Sequence, residues 1–426
     1  MNYIESVNYI HSLLKFGIRP GLNGMDALLH LLGEPHKNLK YVHVAGTNGK
    51  GSTSTAISNV LIEAGYNVGL YTSPYVTDFL ERVQYNGKPV DRELFAESVT
   101  RVKECVEKLE AEGTQITEFE ALTASAFLCY KELNCDIVVL EVGLGGRLDA
   151  TNVIDTPLVN VITSISKDHT AILGDTITEI ALEKCGTIKN YGTVVTIFRQ
   201  SQDALDVIKH VAEKKHNTLI ECDPGQLATF DTDIFGSRFT YKGCSYETSM
   251  VGFHQIENMA CVIEACHSLR RFFKISDENV YNGIKKTSMP ARVEVMSKKP
   301  LVILDGGHNA SGASAFFSCV CPIYVDVETV YVVAGMMADK DVERALSPLM
   351  EYCDYFVAVT PNNPRAMKCD ELAEIAEKYN QNVCAIPTAA EAVKFVAERL
   401  GERDALYVVG SLYLAGEVRE TLLKLF

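Results

Sequence analysis

Apolar and polar positions alternate with two different periods along the first two-thirds of the chain. Short runs of consecutive apolar residues, rich in β-branched side chains, predict strands over 42–45, 67–71, 136–142, 158–163 and 193–198. The unbroken run at 136–142 is of the kind buried on both faces of a parallel sheet. Between these runs apolar residues recur at helical spacing over 53–64, 93–109, 118–133 and 176–185, with Gly65 and Gly186 as stops for the first and last. From 230 to 250 the pattern shortens into alternating segments with Gly, Asp and aromatic residues, predicting a small antiparallel piece, before helical spacing returns over 256–273 and 277–285.

Pro290, Lys298, Lys299 and Pro300 then break the periodicity. The rhythm restarts with apolar strands at 301–304, 330–334, 355–359 and 405–409, separated by helical stretches. The expected fold is therefore α/β throughout. An N-terminal unit with a mainly parallel sheet, opening on a P-loop-type strand, Gly-rich loop and helix at 42–64, spans 1–290, 291–299 is a linker, and a smaller Rossmann-like, doubly wound unit spans 300–426. No internal repeat or low-complexity stretch interrupts this plan, and two such units invite a cleft between them.

Composition narrows the function classes. The 426 residues are 47% hydrophobic and 22% charged, an ordinary globular balance with material for two cores. A formal net charge of −15 argues against a nucleic-acid surface or an anionic membrane as partner. No apolar run reaches bilayer length, and Met1-Asn2-Tyr3-Ile4-Glu5 lacks the basic start of a signal peptide. The 13 cysteines are scattered without zinc spacing and read as thiols of a reducing cytoplasm.

The chemistry begins at Val42-His43-Val44-Ala45-Gly46-Thr47-Asn48-Gly49-Lys50-Gly51-Ser52, where a strand meets a glycine-punctuated loop and a helix. Such a loop turns backbone N–H groups toward a polyphosphate, and a lysine reaches the terminal phosphates. The strict pattern would place glycine at Val44 and a hydroxyl at Gly51, so Ser52 comes one place late. The bland alternative is a glycine turn with a solvated lysine. Glu141 ends the buried run and leads into Val142-Gly143-Leu144-Gly145-Gly146, a position suited to Mg²⁺ beside a phosphate, or else a charge escaping the sheet edge. Ser73 and His169 also follow strands, which would bring Lys50, Ser73, Glu141 and His169 to one sheet edge, although a lone histidine is often a surface residue. By itself Lys184 reads as a lysine favouring the dipole of a helix end.

These residues belong to a longer series of motifs: Thr72-Ser73-Pro74, Glu81-Arg82-Val83, Thr117-Glu118-Phe119-Glu120, Glu141 to Asn152, Asp305-Gly306-Gly307-His308-Asn309, Asp339-Lys340-Asp341, Pro364-Arg365-Ala366 and Gly410-Ser411-Leu412-Tyr413-Leu414. In them the chain resembles the folylpolyglutamate synthases, including the bifunctional dihydrofolate synthases, of the Mur-ligase superfamily. The resemblance implies an ATP-dependent ligase adding L-glutamate to the γ-carboxyl of a reduced folate through an acyl phosphate. It implies that Thr47, Asn48, Gly49, Lys50, Gly51 and Ser52 hold ATP phosphates and that Ser73, Glu141 and His169 bind two Mg²⁺. Lys184 matches a lysine carried as a carbamate, a CO₂ adduct that turns a cation into a metal-binding anion. Asn258 matches an adenine contact, and Arg292 and Asp305 match nucleotide contacts from the linker and the far side of the cleft. Tyr75, Arg82, Thr117, Glu118, Phe119, Glu120, Leu148, Asp149 and Ala150 match the pterin side, while His308 (a candidate catalytic group) and Ser411 match the border of the glutamate pocket.

Departures from the family pattern are few. Gly307 replaces an alanine, Ala310 a proline and Ala291 a glycine, and none of these removes a charged or metal-binding group. Tyr75 stands where many bifunctional members have histidine, which favours the single activity over the bifunctional form. The other rivals are a cell-wall Mur ligase and a non-catalytic nucleotide-binding protein. The motif after Glu141 and the Gly51-Ser52 ending speak against the first; intact Lys50, Glu141, His169 and Lys184 speak against the second. A monomer acting on small molecules is expected.

Overall fold

The computed structural model describes residues 1–17, 21–322 and 327–426. Strands β1 (Tyr41–Ala45), β2 (Val68–Tyr71), β3 (Val83–Tyr85), β4 (Lys88–Pro89), β5 (Ile137–Glu141), β6 (Val159–Ile162), β7 (Thr193–Thr196) and β8 (Thr218–Glu221) make one sheet, in the order β4-β3-β2-β5-β1-β6-β7-β8. Along the order from β2 to β8 every neighbouring pair is parallel, and the antiparallel pairings are β2–β3 and β3–β4 at one edge. Alternate residues of β5 face opposite sides. Val138 and Leu140 pack with helices Arg92–Ala111 and Glu118–Glu132, while Ile137 and Val139 pack with helices Lys50–Glu63 and Phe253–Leu269. With both faces covered, the strand needs no polar alternation, which is why it reads as one apolar run.

The predicted antiparallel piece is β9 (Leu227–Asp233), β10 (Gly236–Tyr241) and β11 (Cys244–Thr248), whose Phe239, Tyr241 and Tyr246 join the same core as helix Phe253–Leu269. Beyond it, β12 (Glu294–Lys298), β13 (Leu301–Leu304), β14 (Val330–Ala334), β15 (Tyr355–Val359), β16 (Val383–Ile386) and β17 (Ala405–Val409) form a six-stranded sheet ordered β12-β13-β17-β14-β15-β16. All are parallel except β12. Ile303, Val332, Phe356 and Tyr407 fill one side of it, and Leu304, Val333, Val357 and Val408 the other.

The chain pattern predicts four strands here, and the structure has six. The two additions are the edge strands: β12 runs through the stretch expected to be linker, and β16 is only half-buried, so neither carries an apolar run. Helix Lys50–Glu63 starts three residues earlier than the periodicity suggests, because its first turn is the polar Lys-Gly-Ser that follows Gly49. The first forty residues, unassigned by the patterning, hold helices Tyr3–Ser12 and Asn23–Leu31 packed on helix Arg92–Ala111. What positions the site is the sheet order: β2, β5, β1 and β6 are adjacent and parallel, so their C-terminal ends open on one edge.

Candidate active site

The loop after β1 is shaped by Gly49, which sits at φ +85° as the N-cap of helix Lys50–Glu63. A side chain there would be strained and would also place its Cβ 2.4 Å from Asn258 Oδ1, so both conformation and space demand glycine. The loop is pinned to the segment following β6: Thr47 N–H donates to Ser164 O (2.7 Å), Thr47 Oγ1 donates to Ser166 O (3.0 Å) and Ser164 Oγ donates to Asn48 O (3.2 Å). Lys50 Nζ folds back on Thr47 O at 3.2 Å, a weak tether that leaves it able to swing to an anion. The N–H groups of the first helical turn, with the helix dipole behind them, make this edge an anion seat.

Glu141 ends β5 and is 4% exposed. Among the described residues its hydrogen bond comes from the Ser73 backbone N–H, 3.2 Å from Oε2. Burial, only partly offset by Lys50, pushes its carboxyl up to about 7. A buried carboxylate with so little compensation is a natural seat for a cation. His169, at φ +50° after β6, is lowered to about 4 chiefly by burial, so its imidazole stays neutral with a lone pair free. Ser73 and Glu141 offer hard oxygens and His169 a neutral nitrogen, a donor set that fits a divalent ion beside a phosphate. Among the described residues no group of three or more His, Cys, Asp or Glu clusters with metal-ligand spacing, so any such ion would depend on the hydroxyl, water or phosphate for its remaining ligands.

Lys184 is no surface lysine at a helix end: it is 4% exposed, and its Nζ donates to Gly46 O at 2.8 Å. Burial, reinforced by Lys50, brings its ammonium down to about 7. The helix end carrying it is clamped by the loop after β5. Arg147 N–H donates to Glu183 O (2.7 Å), and Asn152 Nδ2 bridges Arg147 O (3.0 Å) and Gly186 O (3.2 Å).

The opposite wall is aromatic. Arg82 and Glu118 form a 2.7 Å ion pair, 9% and 13% exposed, and the guanidinium lies 5.7 Å from the ring centroids of both Phe79 and Phe119. Tyr75 meets Phe79 edge to face at 5.5 Å. Thr117 and Glu120 also line the cleft, yet their polar atoms are engaged with each other in a reciprocal helix cap: Thr117 N and Oγ1 donate to Glu120 Oε2 at 2.8 and 2.7 Å. Asp149 likewise accepts from Leu144 N–H (2.9 Å) and from Thr151 Oγ1 (2.6 Å), shaping the loop that presents Leu148 and Ala150.

The six-stranded unit closes the cleft. Asp305 follows β13, is 7% exposed, and accepts from Val293 N–H (2.9 Å) and Gly307 N–H (2.7 Å), which holds Arg292 and His308 on either side of it. Burial pushes the Asp305 carboxyl up, opposed by Arg292. Ser411 caps helix Leu412–Leu425 through a bond from Leu414 N–H (3.1 Å). Asn258, 5% exposed, donates to Gln255 Oε1 at 2.9 Å beside Gly49. Every residue to which the sequence analysis assigned a binding, metal or catalytic role, Gly51 and Ser52 included, lines this one cleft of about 2220 Å³.

The sequence reading gave no role to several groups found here. Arg199 forms a two-pronged pair with Glu257 (2.7 and 2.8 Å) and stacks 4.2 Å from the Phe253 ring, lining the same cleft as Asn258. Asp168 is buried against Lys340 (2.5 Å) and Asn309 (2.9 Å) from the other unit. Burial would raise Asp168, but His308 and Lys340 outweigh it and hold the carboxyl well below the usual range; with His308 Nε2 at 3.6 Å, Lys340 is the stronger partner by geometry.

Comparison with known proteins places this cleft in context. The Mur ligase middle domain matches residues 44–266, and the Mur ligase glutamate ligase domain matches residues 291–412. The chain is 38% identical to the dihydrofolate synthase/folylpolyglutamate synthase of Bacillus subtilis (strain 168) and 33% identical to the folylpolyglutamate synthase of Lacticaseibacillus casei, over 99% of each chain in both cases. It superposes on the Mycobacterium tuberculosis folylpolyglutamate synthase complexed with ADP and AMPPCP with a TM-score of 0.89, at 28% identity and covering 99% of both chains.

Proposed function

The chain belongs to the Mur ligase family, on its folylpolyglutamate synthase and dihydrofolate synthase branch, and from that premise we propose how its cleft builds an amide bond. It is an ATP-dependent carboxylate–amine ligase that adds L-glutamate to the γ-carboxyl of a reduced folate and forms ADP and phosphate. The observation that carries this reading is the convergence on one cleft of a phosphate loop, buried Glu141 and Lys184, and the Arg82–Glu118 aromatic wall.

A carboxylate is a poor acyl donor because its leaving group would be oxide. Its oxygen attacks the γ-phosphorus of ATP, ADP departs, and the resulting acyl phosphate is open to attack at carbon by the glutamate amine, with loss of phosphate and of one amine proton. The backbone N–H groups of 47–52 and the Lys50 ammonium cradle the phosphates, with Arg292 opposing the charge from the linker side and Asn258 beside the nucleobase. Ser73, Glu141 and His169 would hold Mg²⁺, which when bound neutralises charge on the transferring phosphoryl group. Lys184, as the carbamate, would add an anion to that set; its near-neutral amine and tether to Gly46 O support this role. Asp305 faces the nucleotide from the far side, and His308 is the candidate acceptor of the amine proton. Arg82, Tyr75, Phe119 and the 148–150 loop face the folate. Water is excluded by closure of the six-stranded unit, which already includes β12 (Glu294–Lys298), onto the 1–290 unit. Among the described residues no helix is long and apolar enough to cross a membrane; that the enzyme works as a cytoplasmic monomer is part of this proposal.

The test is purified protein with MgATP, tetrahydrofolate and L-glutamate. The product gains one glutamyl unit by mass, and phosphate appears only when folate and glutamate are both present. Phosphate release indifferent to folate would leave an idle nucleotidase on a ligase fold. A second reading, the bifunctional enzyme, is favoured by the name of the B. subtilis relative and opposed by Tyr75. Dihydrofolate formed from dihydropteroate, glutamate and MgATP would decide for it.

A further inference from the structure

Asp168 lies in the turn after β6, next to His169, yet most of its bonds come from the other unit. Oδ1 accepts from Lys340 Nζ (2.5 Å), as well as from its neighbour's backbone, His169 N–H (2.8 Å). Oδ2 accepts from Asn309 Nδ2 (2.9 Å), and the amides of Asn309 and Asn48 pair at 3.1 and 3.3 Å. The Asp168 and Lys340 side chains are 9% and 10% exposed.

Both donors are rigidly mounted. Asn309 caps helix Ala310–Val320, its Oδ1 accepting from Gly312 N–H at 2.8 Å, so its amide is aimed by the helix it starts. The loop carrying Lys340 is braced by the neighbouring 363–367 segment: Ala338 N–H donates to Arg365 O (2.8 Å) and Met367 N–H to Met336 O (2.9 Å). A buried ion pair is a poor source of net stability, but it fixes one geometry sharply, because either charge left alone is costly. Here the geometry it fixes is the apposition of the phosphate-binding edge and the six-stranded unit.

We propose that Asp168 and Lys340, aided by Asn309, form a latch that holds the two units closed and sets the position of His169 at the phosphate edge. They are positioning residues for the ligation, an inference that rests on the ligase reading above. An open latch admits water, so activated intermediate or ATP is hydrolysed in place of being aminolysed.

The test compares wild type with Lys340→Met, Lys340→Arg, Asp168→Asn and Asn309→Asp. The last keeps a good helix cap while replacing the Asn309 donor with a second carboxylate against Asp168, so it opens the latch while leaving both members of the Asp168–Lys340 pair in the chain. Lys340→Met, Asp168→Asn and Asn309→Asp are expected to lower kcat about tenfold or more with the ATP KM within about threefold, and to raise phosphate released per glutamylated folate above one. Lys340→Arg recovers part of the coupling, and the double variant Lys340→Met/Asp168→Asn is no worse than its worse single. Small-angle scattering with AMPPCP gives a larger radius of gyration for the latch variants than for wild type. A coupling ratio that stays at one while only the glutamate KM rises would make Lys340 a substrate contact and overturn the latch. So would unchanged scattering. Wild type forming no glutamylated folate would instead defeat the ligase reading, and the scattering comparison would still judge the latch.

Discussion

Lys184 Nζ donates its 2.8 Å hydrogen bond to the carbonyl of Gly46, so the end of helix Ile177–Cys185 is tied to the phosphate loop 138 residues earlier in the chain. Beneath that helix end, Gly146 lies so close that a Cβ would stand 2.8 Å from the carbonyl oxygens of both Glu183 and Lys184. The amine is thus carried by one loop and aimed at another. Burial is what makes it chemically unusual, because an ammonium lowered to about 7 is substantially neutral under physiological conditions, and only the neutral amine attacks CO₂.

Lys184→Ala is therefore expected to lose at least about 100-fold in turnover, with partial recovery on adding acetate or another short carboxylate that can occupy the vacated volume. Wild type should lose activity in rigorously bicarbonate-free buffer and regain it when bicarbonate is returned. Full turnover without bicarbonate would leave Lys184 as an ordinary cation.

Glu141→Gln separates function from folding. The amide keeps the shape and can still accept the Ser73 N–H, but it removes a carboxylate whose burial pushes it up to about 7. Ligation should fall by more than about 1000-fold for want of the anion facing the phosphates. The thermal midpoint should hold or rise, since an uncompensated buried charge has been relieved. A variant that unfolds earlier would mean that Glu141 braces the fold.

The parts of this site that could be read in the sequence are those set by local backbone. Glu141 ends a strand and Ser73, Lys50 and His169 each follow one, and parallel strands of one sheet deliver their ends to one edge, so four separate motifs imply one place. Thr117 and Glu120 entered only through the family motif, and the structure shows them engaged with each other as the reciprocal cap that starts helix Glu118–Glu132. Asp168 with Lys340 was not legible: the pair spans 172 residues, and nothing in either segment's spacing specifies the other. The same holds for Arg199 with Glu257. Edge strands β12 and β16 escaped for a different reason, since half-buried strands carry no strong pattern.

The Arg82–Glu118 pair should prove costly to break and cheap to replace. Arg82→Met leaves Glu118 buried without its cation, at an expected loss of about 3–5 kcal/mol in urea unfolding. Arg82→Met/Glu118→Leu should recover most of that loss, because the site already packs against Phe79 and Phe119. Folate KM should remain raised in both variants, since neither restores the guanidinium. Equal stability of the single and double variants would show that the pair is electrostatically idle.

His43 gives a pH dependence whose sign can be worked through. It lies on β1, fully buried, with Nε2 2.8 Å from Thr151 Oγ1. Burial, and to a smaller extent Lys189, pushes its imidazole down to about 3. In the unfolded chain it titrates near its ordinary value of about 6.5. Above that pH both states hold it neutral, and it adds no slope. Below it the unfolded chain binds a proton that the native strand refuses, so stability is lost as pH falls, by up to about 1.4 kcal/mol per unit until pH nears the native value. His43→Gln cannot titrate but keeps a polar group toward Thr151. Between pH 7 and pH 5, wild type should lose about 2 kcal/mol more unfolding free energy than this variant. Because β1 feeds directly into Gly46 and the phosphate loop, the loss should appear as cooperative unfolding of the whole large sheet, with nucleotide binding lost at the same denaturant concentration. Parallel stability curves for the two proteins would assign the acid sensitivity to another group.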